Sequence, residues 1–129
     1  MLIEKKSPHD LETTCQRLTN AVKDNGFGVL HIHDIQNTLE SKGIPFDAAC
    51  RVFEVCNPKR AKEVLSIEIG LANALPCRIA VYARTDGIYV SMMSPASILK
   101  ILSQNQTLAE IAESVEQSMV TMIEQTIAA

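Results

Sequence analysis

The stretch CRIAVYARTDGIYVSMM, residues 77–93, decides the fold. Cys77 to Arg84 and Ile88 to Met93 are rich in β-branched and aromatic residues, and Thr85-Asp86-Gly87 stands between them. Asp-Gly tolerates the positive φ angles of a tight turn, so the two runs read as paired antiparallel strands. Ile79, Val81 and Val90 are expected to be buried between a sheet and its helices. A hairpin this strong argues against a doubly wound parallel sheet, whose strands are joined by long crossovers.

Moving outward, Asn57-Pro58 and Ser94-Pro95 each pair an N-cap residue with a proline at the first helical position, predicting helices to about Asn73 and Leu102. Ser7-Pro8 gives the same signal for a helix ending at Asn25-Gly26, with Leu11, Cys15, Leu18 and Val22 on its inner face. Cys15 is therefore read as a core thiol. Phe27–His33 and Ala49–Val55 read as strands, with a short helix over Ile35–Ser41, capped by Asp34, between them. Strict alternation would place Phe27, Val29, His31 and His33 on one face. A further short strand is read at Leu2–Lys5. The expected fold is α+β: one domain over residues 1–129, a sandwich with a mixed or mostly antiparallel sheet of four to five strands covered by helices.

The last helix, about 107–127, starts at the capping box Thr107-x-x-Glu110. Leu108, Ile111, Val115, Met119, Met122 and Ile123 form one apolar stripe on it. A stripe that strong must cover either the chain's own sheet or a second subunit. The helices at 8–24 and 58–73 already serve the sheet, so the reading favours a partner contact through the Met residues and a homodimer.

Composition narrows the function classes. The 129 residues are 47% apolar and 21% charged, with 12 Lys and Arg against 15 Asp and Glu. That is a globular balance, and the net charge of −3 gives no clustered base for a nucleic-acid backbone. With no Trp, two Tyr and three Phe, base-stacking platforms are not expected either. Residues 101–129 hold Glu110, Glu113, Glu116 and Glu124 and no base, which reads as a solvated helix face. Charges appear by Glu4, and no run of about 18 uncharged residues follows, so a membrane partner is not expected and a cytoplasmic chain is. Cys15, Cys50, Cys56 and Cys77 contain no C-x-x-C spacing.

Three features carry candidate chemistry. Cys56 ends a strand just before the Asn57 cap, where a helix N-terminus and nearby Lys59 and Arg60 would favour its thiolate and a redox or sulfur-handling role. Asn57, Lys59 and Arg60 are also the candidate site for a small anionic ligand. His31-x-His33 places two imidazoles on one strand face, a metal pair if Cys56, Asp34 or Glu54 supplies a third ligand. Against these stand simpler readings: a half-buried junction thiol, a capped helix and solvated histidines. Cys56 and Cys77 can approach if their strands are antiparallel neighbours, and lie about 20 Å apart if a crossover joins the strands in parallel. No nucleotide loop, nucleophile elbow or H-E-x-x-H is present, so no cofactor is implied.

Arg51-Val52-Phe53-Glu54-Val55-Cys56-Asn57-Pro58-Lys59, with Gly26-Phe27-Gly28-Val29, the run Leu75 to Tyr82 and Asp86-Gly87, resembles the family called domain of unknown function 302. The resemblance spans about residues 1–102 and leaves the final helix as an appendage. It implies a small α+β sandwich often found as a dimer, with no established activity. The leading expectation is a ligand-binding or protein-interaction module that forms a homodimer. The alternatives are thiol chemistry at Cys56 and, more weakly, metal binding at His31 and His33.

Overall fold

The computed structural model describes residues 1–129. In chain order its elements are β1 (Leu2–Ser7), α1 (Leu11–Asp24), β2 (Gly28–Asp34), α2 (Ile35–Ser41), β3 (Cys50–Cys56), α3 (Pro58–Ile67), a 3-10 helix (Ile69–Ala74), β4 (Cys77–Arg84), β5 (Gly87–Met93), α4 (Pro95–Leu102) and α5 (Gln106–Ile127). The five strands make one sheet in the order β1-β5-β4-β3-β2. Every neighbouring pair is antiparallel, so the α+β expectation holds in its fully antiparallel form. The β4–β5 hairpin closes with Arg84 opposite Gly87, and Gly87 takes the positive φ of 147° that the turn demands. No helix is long and apolar enough to cross a membrane.

Three helix starts follow the cap rule: Asp34, Asn57 and Ser94 accept from the backbone N–H of Asn37, Arg60 and Ser97 at 3.0, 3.3 and 3.1 Å. Three local expectations differ. Asp10, not Ser7, caps α1, accepting from the Thr13 N–H at 2.8 Å. Ser7 instead extends β1 opposite Ile88 and meets Thr14 Oγ1 at 2.8 Å, because ladder pairing with β5 outweighs a cap that Asp10 supplies equally well. Asn105 replaces Thr107 as the cap of α5, accepting from the Leu108 N–H at 3.0 Å. The helix expected through Asn73 stops at Ile67, since Glu68 is extended and its carboxylate takes the Gly70 N–H at 2.9 Å. Ile67, Ile69 and Gly70 are weak helix formers, so the side-chain bond decides.

Phe53 and Val55 of β3, Ile79 and Val81 of β4, and Val90 and Met92 of β5 form the buried face of the sheet. Cys15, Leu18 and Val22 of α1 pack on it in one continuous core. The α5 stripe belongs to that same core: Leu108, Ile111, Val115, Met119, Met122 and Ile123 are all buried, with Met119 1% and Met122 0% exposed. The expected partner contact through these methionines is therefore corrected, because α5 lies along α1 over the chain's own sheet. Glu116 is not merely solvated either. Its carboxylate accepts from Ser94 Oγ and from the Ala96 N–H at 3.3 Å, tying α5 to the start of α4.

A register shift between Val29 and His31 corrects the alternation of β2. Val29 lies opposite buried Val55, whereas His31 and His33 lie opposite Glu54 and Val52 on the other face. One extra residue, Leu30, flips every following side chain. The second face of the sheet is polar. There Glu4 accepts from Tyr82 Oη and, at 2.7 Å, from Arg84, and those bonds hold its carboxyl below the usual range. The Arg84 guanidinium sits 5.3 and 5.4 Å from the Tyr82 and Tyr89 ring centres.

Candidate functional site

Cys56 is half-buried at the end of β3, with the Asn57 cap next to it. Burial pushes its thiol up, opposite to the direction expected from the helix end. The cation that should favour a thiolate is spent elsewhere: Arg60 donates from Nη1 to Glu63 and from Nη2 to Ser114, both at 3.1 Å. The Asn57 side-chain oxygen is likewise used by the Arg60 N–H, and Lys59 is exposed. Asn57 and Arg60 border one small recess beside Cys56, and Lys59 does not line it.

The His31 and His33 rings meet edge to face with centres 4.4 Å apart. His33 Nε2 lies 2.8 Å from Glu54 Oε1, and that hydrogen bond lowers the Glu54 carboxyl below its ordinary value. No group of three His, Cys, Asp or Glu side chains is placed to hold a metal ion. Cys56, on the far side of Glu54 along β3, does not join the pair.

The chain does bring together a cavity of about 180 Å³ that the sequence reading missed. Its walls come from five places: Val64 of α3, Leu71 and Ala74 of the 3-10 helix with Leu75 and Pro76 after it, Cys77 and Arg78 at the start of β4, Pro95, Ile98 and Leu99 of α4, and Ile111, Ala112, Val115 and Met119 of α5. Met93 at the end of β5 completes the rim, and Arg78 is the one charged lining residue. A smaller recess of about 30 Å³ adjoins it, sharing Val64, Leu75, Cys77 and Val115, and adding Cys56, Asn57 and Arg60. Val55 lies opposite Cys77, so of the two arrangements left open the structure has the antiparallel one, and both thiols border this recess. Burial drives the Cys77 thiol up to about 11, with Cys56 adding to the shift. At neutral pH it is an apolar wall, not a nucleophile.

Local sequence explains why the cavity exists. The break at Glu68 turns the chain so that Leu71, Ala74 and Leu75 stand off from α5 instead of continuing α3. On the other side α4, PASILKIL, sets Ile98, Leu99, Ile101 and Leu102 on one broad face with Ala96, Ser97 and Lys100 opposite, yet none of its residues is fully buried. Four large aliphatic residues in an eight-residue helix were the available signal, since an apolar face of that size normally packs against something.

The comparisons with known proteins agree with this architecture. The crystal structure of an uncharacterized conserved DUF302 protein from Bacillus stearothermophilus matches with a TM-score of 0.92 and 26% identity, covering 97% of each chain. No curated protein matches. The family model described as domain of unknown function DUF302 matches residues 3–126, running through α5 instead of stopping near residue 102. The sheet order, the helices laid on one face and that match agree: the chain belongs to the DUF302 family.

Proposed function

We propose that this protein is a binding module for a small, largely apolar molecule held in the cavity between the 3-10 helix, β4, α4 and α5. The observation that supports it is the cavity itself, about 180 Å³ with 12 hydrophobic residues among its 15 lining residues. Protein interiors are close-packed, and an apolar cavity of about 150 Å³ is enough to take up benzene. Titrating methyl-labelled protein with toluene or indole is expected to shift the methyl signals of Leu99, Val115 and Met119. Ala112→Leu, which fills the space from a buried wall position, should weaken that binding at least about tenfold while leaving the melting temperature equal or higher. Unmoved methyl signals in the unaltered protein would remove the reading.

A homodimer is the second reading, now placed on α4 rather than α5. Ile101 is 74% and Leu102 56% exposed on α4, and Met93, 55% exposed, lines the cavity with Ile98 and Leu99 of the same helix. Apolar side chains grouped in this way call for a cover, and a second copy supplies one. Ile101→Asp with Leu102→Asp is then expected to give a folded monomer by light scattering, whereas an unchanged molecular mass would reject α4 as the interface. The cytoplasm suits this reading because its reducing conditions keep four free cysteines as thiols. Sulfur or redox handling by Cys56 draws no support from the upward shift of its thiol.

A further inference from the structure

The helix α4 is held unevenly along its length. Its start is pinned: the Ser94 N–H donates to the Met1 carbonyl at 2.6 Å, and Ser94 Oγ and the Ala96 N–H both donate to the Glu116 carboxylate of α5. From Ser97 to Leu102 every hydrogen bond stays within the helix and its two caps. Packing is one-sided too. The helix rests chiefly on α5, Ile98 and Leu99 are half-buried, and Ile101 and Leu102 stand in solvent. Pro95, Ile98 and Leu99 form one wall of the cavity, so behind them lies open space in place of side chains.

Resting on the cavity reading above, we propose that α4 is the lid of that cavity: anchored at Ser94, it lifts or unwinds over Ile98 to Leu102 and admits the ligand. A helix of eight residues is marginal without packing, because its first hydrogen bond must fix several residues at once. Opening also exposes little that is not exposed already, since Ile101 and Leu102 are in water in either state. Segments with few buried apolar contacts are the ones that open locally while the rest of a fold stays intact. Ser103 is extended and Gln104 exposed, which leaves the end of α4 slack before the Asn105 cap of α5. The helix beneath has no such freedom, because Ile111, Val115 and Met119 belong to the core. A bound apolar molecule gives Ile98 and Leu99 the contacts they lack, so it shifts the lid toward its closed state.

Amide hydrogen exchange, read residue by residue with and without toluene, tests this. In the unaltered protein the Leu99, Ile101, Leu102 and Ser103 amides are expected to exchange at least about a hundredfold faster than those of Val115 and Met119. Saturating toluene should slow the α4 amides at least about fivefold. Glu116→Ala removes the pin but keeps the Ser94 cap and a good helix former in α5. It should speed α4 exchange, toluene association and toluene dissociation at least about threefold each, with affinity changed less than about twofold. The lid is overturned, and the cavity reading stands, if toluene moves the cavity methyl signals while α4 exchanges as slowly as α5 or does not respond to toluene. Toluene rates unchanged by Glu116→Ala would likewise overturn it. Methyl signals that do not move would instead remove the cavity reading, and the lid with it.

Discussion

Replacing Met119 and Met122 together with Asp is expected to abolish cooperative folding. Both side chains lie in the core that α5 shares with α1 and the sheet, at 1% and 0% exposure. Each change removes a buried side chain worth about 2–5 kcal/mol. Each also leaves a carboxylate without a partner in a low-dielectric space, at a further cost of several kcal/mol. The combined loss meets or exceeds the roughly 5–15 kcal/mol that holds a domain of this size together. Circular dichroism with urea titration checks it. A folded monomer with an ordinary transition would mean that α5 covers a partner and not its own sheet.

Arg17→Ala should cost about 2–3 kcal/mol, large for a half-buried position. Arg17 of α1 donates from Nε to the Thr126 carbonyl at 2.8 Å, and from Nη2 to the Gln125 and Ala128 carbonyls, each at 3.0 Å. These are end-of-helix carbonyls of α5 that lack intrahelical partners. The negative end of the helix dipole also favours a cation there. His9 Nε2, 2.7 Å from the Ala128 carbonyl, shares the task, and the Asn25 side chain donates to the Gln125 side-chain oxygen at 2.9 Å to hold the same end, which keeps the loss below that of a sole cap. Arg17→Lys retains the charge but not the fork, and is expected to recover less than half of the loss. The urea midpoint should fall with the slope unchanged. A loss under about 0.5 kcal/mol for Arg17→Ala would show that solvent caps α5 equally well.

The candidate sites divide along the same line as these two predictions. Asn57 and Pro58 are legible as a helix start because a cap and a proline act within one turn. Whether Arg60 beside them is free for an anion is only half legible: Glu63 lies one turn on along the same helix, but Ser114 comes from distant α5. The same holds for the thiol. The adjacent helix start predicts a favoured thiolate at Cys56, and burial by other elements reverses the direction.

What the sequence determined by itself is whatever a few consecutive residues control: the Asp86-Gly87 hairpin, the caps at Asp34, Asn57 and Ser94, and the apolar period of α5. Turn angles, cap hydrogen bonds and helical spacing are local, so neighbours in the chain suffice to set them. Only the tertiary structure decided which surface the α5 stripe covers, that β1 runs on to Ser7, that Leu30 bulges out and turns His31 and His33 to the polar face, and that Leu71, Cys77, Leu99 and Ala112 line one half-open cavity. Each of these is a competition between distant partners for the same hydrogen bonds or the same apolar area. Its outcome depends on the packing of the whole sheet and its helices, which no short stretch of the chain encodes.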